Sequence, residues 1–160
     1  MSDPILLHLT DIPLSQRAQA LIEAGEAKSK QVDTFDFIPS DYGIVYTVLA
    51  AMQRGRFCEW GSGLGIVTGL AEMLGYQSMG IELEPSLVDL SRKLLSDFKL
   101  QAQIESGDYF ELDVQADLYF VYCWPGRVVA TEERFLEIAP SGARLLVYYG
   151  RNDIRWIAKP

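Results

Sequence analysis

Residues 59–65, Glu59-Trp60-Gly61-Ser62-Gly63-Leu64-Gly65, leave one kind of periodicity and enter another. Before them, Arg56 to Trp60 is a short apolar run of the kind that makes a buried strand. After them, Ile66 to Leu74 carries a helical pattern that stops at Gly75. Glycines at such a junction permit positive φ and let a ligand reach the main chain without a Cβ in the way. In a parallel sheet this carboxyl edge is also the place where ligands bind.

Moving outward from that turn, short apolar strands alternate with helical periods, the pattern of a parallel α/β sheet. The strands are expected at Arg56 to Trp60, Gln77 to Glu82, Gln101 to Ser106, Leu118 to Tyr122 and Ala143 to Tyr149, with Asp153 to Ala158 as at most one more short strand. Between them, Pro85 to Phe98 starts with proline where a helix tolerates it and should bury Leu87, Leu90, Leu94 and Phe98. Thr131 to Ala139 is a shorter helix, whose Glu132 and Glu133 read as an acidic first turn. Two amphipathic helices precede this core. The first starts near Pro13 and Ser15 and places Ala18, Leu21, Ile22 and Gly25 on one face; the second takes Ser40 as N-cap, a stripe of Ile44, Val45, Val48, Leu49 and Met52, and Gly55 as its stop. Val32 to Pro39 reads as an irregular extended link between them. The expected organisation is a single domain over residues 1–160, with a helical region at 1–54 and the α/β core at 55–160.

Spacing separates the chemistries that use a glycine turn. A P-loop requires Gly-Lys-Ser/Thr ahead of the helix, whereas Gly65 is followed by Ile66 and Val67. A dinucleotide fingerprint requires its third glycine where this chain has Ile66, which weakens a nicotinamide oxidoreductase and leaves it open as an alternative.

The remaining pattern, acid-x-Gly-x-Gly-x-Gly with Glu59 as leading acid, resembles motif I of the class I S-adenosylmethionine-dependent methyltransferases. The resemblance continues in order from Arg56 to Tyr149. Glu82, ending Gly80-Ile81-Glu82, matches the family's acid that takes both ribose hydroxyls; two acceptor oxygens suit two adjacent donors. Ser106-Gly107-Asp108 resembles the turn whose acid meets the adenine amino group, with Tyr109 lining the adenine slot. Tyr122-Cys123-Trp124-Pro125 falls where the family places groups near the transferable methyl, and Pro140-Ser141-Gly142-Ala143-Arg144 is similar to its Pro-Gly-Gly turn. The resemblance implies a Rossmann-like, mostly parallel sheet of order 3-2-1-4-5 plus a short terminal strand, with helices on both faces. It implies S-adenosylmethionine as cofactor, held by Glu59, Gly61, Ser62, Gly63, Gly65, Glu82, Asp108 and Tyr109, with Tyr122 and Trp124 at the catalytic end.

Composition bounds the partners. With 14 Lys and Arg against 22 Asp and Glu, the net charge is -8, so no basic field is available for a phosphate backbone and nucleic acid is not expected. Cys58 and Cys123 lie in apolar stretches and read as buried free thiols rather than a disulfide or a metal pair. His8, the one histidine, has no ligand-spaced neighbours, so no metal is expected. Met1 to Leu9 lacks the charge of a secretory signal and Ile44 to Met52 is too short for a bilayer, which points to the cytoplasm.

The methyl acceptor is the open question. No Asn-Pro-Pro-aromatic group follows the fourth strand, which disfavours base and amide nitrogens. Phe35-Asp36-Phe37-Ile38-Pro39-Ser40 and Tyr119-Phe120-Val121-Tyr122 resemble the protein-lysine branch of the same family, so a protein lysine or other amine is the expected acceptor. Only ten residues follow Gly150, fewer than the family's usual antiparallel pair. That departure implies either a truncated sheet or a strand donated by an oligomeric partner, and it raises a non-catalytic cofactor-binding scaffold as an alternative.

Overall fold

The computed structural model describes residues 9–32 and 40–160. Helix α1, Gln16–Ser29, is capped by Ser15, whose side chain accepts from the Ala18 N–H, and it buries Ala18, Leu21, Ile22 and Gly25 as the periodicity requires. Helix α2, Tyr42–Ala51, is capped by Asp41 rather than Ser40: the Asp41 carboxylate takes the Ile44 N–H at 3.3 Å. A carboxylate placed one residue later has the geometry that the serine lacks. The helix also ends at Ala51, well before Gly55, and buries Tyr42, Tyr46 and Thr47 besides Val45, Val48 and Leu49. The Phe35 to Pro39 part of the lysine-branch resemblance, and most of the expected extended link, lie outside the described residues.

The core alternates as expected: β1 Arg56–Trp60, α3 Ile66–Met73, β2 Gln77–Glu82, α4 Pro85–Asp97, β3 Gln103–Ser106, β4 Leu118–Tyr122, α5 Val128–Ile138, β5 Arg144–Tyr148 and β6 Ile154–Ala158. Within this core, two boundaries move by more than one residue. Strand β3 starts two residues later than the apolar pattern suggested, and α5 starts at Val128 after a 3₁₀ turn at Pro125–Arg127, so Glu132 and Glu133 fall in its second turn. Proline at the start of that turn lets the chain wind immediately after β4.

The strands form one six-stranded sheet in the order β3-β2-β1-β4-β5-β6. All neighbours are parallel except β5 and β6, which pair antiparallel from Arg144↔Ala158 to Tyr148↔Ile154. The chain thus supplies its own terminal strand, and β6 is an outer edge of the sheet.

Alternation along the strands sends side chains into two cores. Phe57, Leu118, Phe120 and Leu146 face α1 to α4, packed with Leu21, Val45, Leu49, Leu70 and Leu94. Cys58, Trp60, Tyr119, Val121 and Val147 face the other side, covered by Phe135 of α5 and by the irregular segment carrying Tyr109, Leu112, Val114 and Ala116. The buried guanidinium of Arg134 holds that segment on α5: it donates to the Tyr109 carbonyl at 3.1 Å and pairs with Asp113 at 2.5 Å and Glu137 at 3.1 Å. No helix among the described residues is long and apolar enough to cross a membrane.

Candidate functional site

A cavity of about 410 Å³ opens at the carboxyl ends of β1, β2 and β4. Its floor is the glycine turn. Gly61, Gly63 and Gly65 have φ of 72°, 56° and 75°, values that L side chains adopt at a cost. The turn is fastened to the next strand, since the N–H groups of Gly61 and Ser62 both donate to the Ile81 carbonyl at 2.9 Å. The glycines do different work. A Cβ on Gly61 would project into open space with nothing within 4 Å, whereas one on Gly65 would press to 3.2 Å of Ser91 Cβ. Gly61 therefore leaves room for a ligand, while Gly65, the left-handed residue that starts α3, lets the turn pack and does not line the cavity.

The acids are held from opposite sides of this turn. Glu82 Oε1 accepts the Gly63 N–H at 2.8 Å and Oε2 accepts the Glu84 N–H at 2.9 Å, so the carboxylate is pinned against the cavity wall with lone pairs to spare. Glu59 is 6% exposed and lies beneath, with Oε2 accepting both the N–H (2.9 Å) and the hydroxyl (2.6 Å) of Thr68. Burial pushes its carboxyl up to about 8, and the charge of Glu82 adds to that while the Thr68 hydrogen bonds oppose it.

Asp108 lines the cavity and also forms a local turn, its Oδ1 accepting the Phe110 N–H at 2.9 Å. Tyr109 lies flat on Trp60 with ring centroids 4.8 Å apart and planes 7° apart, and Phe110 stacks on it at 4.6 Å. Both ring faces are thus covered, and Tyr109 meets the cavity by its edge, with its hydroxyl 3.2 Å from Thr131 Oγ1.

The far wall is aromatic. Tyr122 packs edge-on against Tyr148 at 5.4 Å and against Trp124 at 6.2 Å, and Trp124 is 52% exposed. Arg127 completes this rim, with its guanidinium 5.6 Å from the Phe110 ring centre. Tyr42 of α2, with Ser40 in the segment that leads into it, closes the cavity.

The fold therefore brings together Glu59, Gly61, Ser62, Gly63, Glu82, Asp108, Tyr109, Tyr122 and Trp124 around one space. Sequence reasoning missed Thr68, Tyr42 and Gly80. Gly80 lies under the turn, and a Cβ there would come within 2.6 Å of Ser62 and 2.8 Å of Thr68, so β2 accepts no side chain at that point. A glycine inside a strand was the available signal. Two polar atoms of the lining residues, Ser62 Oγ and Trp60 Nε1, are buried without a hydrogen-bond partner among the described residues. Cys58 and Cys123 are buried and free, and the described residues contain no group of three His, Cys, Asp or Glu placed to hold a metal ion.

No protein-family model and no curated protein matches the chain. Solved structures do. An RNA methyltransferase from Salinibacter ruber in complex with S-adenosyl-L-homocysteine is 24% identical, with 69% of this chain and 76% of that chain covered and a TM-score of 0.62. The S-adenosylhomocysteine-bound methyltransferase PaMTH1 from Podospora anserina is 15% identical over 88% of this chain, with a TM-score of 0.69, and the match spans 64% of its length. Cofactor-bound Rv0187 from MTB is 19% identical over 92% of this chain and 73% of that chain, with a TM-score of 0.63. At these identities the likeness is one of fold. The chain has the Rossmann-like fold of the class I S-adenosylmethionine-dependent methyltransferases.

Proposed function

We propose that this protein binds S-adenosylmethionine and transfers its methyl group to an amine acceptor. The observation that carries this is the open cradle at Gly61 beside the pinned carboxylate of Glu82, in a cavity whose volume of about 410 Å³ is of the size that takes a nucleoside-sized ligand. Similar structures hold S-adenosylhomocysteine or a cofactor, which adds support.

The residues fit the group. Glu82 would hold the ribose, since each of its oxygens has a lone pair beyond the one used by Gly63 or Glu84. Asp108 has Oδ2 left for the adenine amino group, and the edge of Tyr109 borders that end. Gly61, Ser62 and Gly63 offer close backbone approach, Gly65 shapes the turn, and Glu59 stands under the amino-acid end. When bound, the cofactor supplies a methyl activated by a positively charged sulfur. The protein's own part is alignment and exclusion of water, which together are worth about 7 to 11 kcal/mol in favourable cases.

Tyr122 and Trp124 form the acceptor wall, and aromatic faces attract a cationic amine. The net charge of -8 weighs against a polyanionic acceptor. A protein lysine side chain belongs to the same chemical class as a small amine, and the two form separate arms of an acceptor screen. Product formation in neither, with tight cofactor binding, would favour a scaffold role.

Calorimetric titration with S-adenosylmethionine, S-adenosylhomocysteine and NAD is the direct test. Binding of the first two and not the third is expected, with most of it lost in Glu82→Ala. Binding of NAD alone would make the protein an oxidoreductase candidate instead.

A further inference from the structure

The cavity wall carries acids at Glu59, Glu82, Glu84 and Asp108 and, among the described residues, one cation, Arg127. Most arginines of this chain are spent on the protein itself. Arg54 and Arg92 donate to main-chain carbonyls, while Arg56, Arg134 and Arg155 pair with carboxylates. The guanidinium of Arg127 has no hydrogen-bond or ion-pair partner among the described residues, although the chain holds 22 Asp and Glu against 14 Lys and Arg. Its placement is nevertheless defined from two sides. It lies 5.6 Å from the centre of Phe110, the outer ring of a column in which Phe110 stacks on Tyr109 and Tyr109 on Trp60. A cation on an aromatic face is held there with its N–H donors still unused. The main-chain N–H of Arg127 donates to the Trp124 carbonyl at 2.9 Å across the 3₁₀ turn Pro125–Arg127, a step of about 6 Å from the aromatic wall. A Cβ on Gly126 would meet nothing within 4 Å, so the rim between the two is open.

A guanidinium with free donors, one tight turn from a wall suited to an amine, can read both ends of a short zwitterion. We infer that Arg127 anchors a carboxylate carried by the methyl acceptor, which makes the acceptor a small amino acid whose amine lies against Tyr122 and Trp124. This rests on the amine acceptor proposed above and separates its two arms, since a lysine side chain within a protein brings no carboxylate of its own. Carboxylate suits the place better than phosphate. Its two oxygens match the planar guanidinium fork, and one negative charge meets less repulsion from Glu84 and Asp108 than two would.

The test is calorimetry of the whole chain saturated with S-adenosylhomocysteine. The probes are glycine, β-alanine, γ-aminobutyrate and ε-aminocaproate, each set against the alkylamine left when its carboxylate is removed, with O-phosphorylethanolamine and an Nα-acetyl-lysine amide as further arms. At least one amino acid should bind roughly 10- to 100-fold more tightly than its amine, the worth of a charge-assisted hydrogen-bonded pair, and more tightly than the phosphate and the lysine amide. Arg127 is exposed, so its replacement should leave the chain folded. Arg127→Gln should erase the difference between that amino acid and its amine, with affinity for S-adenosylhomocysteine unchanged. Arg127→Glu should invert it, so that the alkyl diamine of the same length binds more tightly than the amino acid. Equal binding of amino acids and amines by the wild-type chain, binding of neither, or tightest binding of the phosphate would each overturn the anchor and leave the cofactor reading in place. A loss of S-adenosylhomocysteine affinity in Arg127→Gln would overturn it too, by giving the guanidinium to the cofactor. Failure of the wild-type chain to bind S-adenosylhomocysteine at all would remove the cofactor reading, and the anchor with it.

Discussion

The two ends of the cavity are built on different principles. The glycine-turn end is held through main-chain donors: the N–H groups of Gly61 and Ser62 donate to the Ile81 carbonyl, that of Gly63 to the Glu82 carboxylate and that of Thr68 to the buried Glu59 carboxylate, so turn and acids fix one another. The aromatic end is made of side chains, with Tyr122 and Trp124 meeting edge-on and Trp124 half open to solvent. A backbone site costs little reorganisation when a common ligand arrives, whereas a side-chain wall can differ between proteins that share that ligand. The contrast explains why the glycine-turn end carries most of the recognisable pattern and the aromatic end carries little.

The sharpest way to break this comparison is at Glu82. Its replacement by alanine removes both ligand acceptors and should lower affinity for S-adenosylhomocysteine by roughly 100-fold, the worth of hydrogen bonds to one charged group. An unchanged titration would remove the ribose assignment. Gly61→Ala comes next. Its Cβ meets no protein atom, so the chain should fold with a small loss of melting temperature, yet affinity should fall by roughly 30-fold because the added methyl occupies ligand space. At the other end, Tyr122→Ala should lower turnover by roughly 10-fold through lost positioning, with cofactor affinity unchanged within about threefold. Equal losses in binding and turnover would mean that the two ends are one unit.

The smallest effect concerns stability. Glu59, pushed up to about 8, binds its proton more tightly in the folded chain than in the unfolded one, where the ordinary value is 4.5. Between those values the folded state holds more protons, so the stability of the ligand-free protein should fall as pH rises from about 5 to about 8 and level off above. The decline should be visible in denaturant melts taken across this window, and Glu59→Gln should flatten it. A wild-type curve that is already flat over this range would mean that Glu59 is ionised before any ligand arrives.

Most strand positions were legible because the strands are short apolar runs set between helical periods, and β1, β2 and β4 begin and end where that pattern says. The cap of α2 was less legible, since Ser40 and Asp41 are both good N-caps and only the path of the incoming chain chooses between them. In the site, Glu82 and the glycines were visible through their spacing. The partner of Glu59 was not, because Thr68 lies nine positions away and meets it only once α3 has packed against β1.

By itself the sequence determined which segments are strands and helices, where the chain must take positive φ, and which acids stand at strand ends; these depend on periodicity and on local backbone sterics. Only the tertiary structure decided that both faces of Tyr109 are covered, that Tyr42 closes the cavity from α2, that Gly80 makes room for Ser62 and Thr68, and that Glu59 is buried with no cation beside it among the described residues. Those facts arise from contacts between residues remote along the chain, and no local pattern encodes the low-dielectric surroundings that set what a buried carboxyl can do.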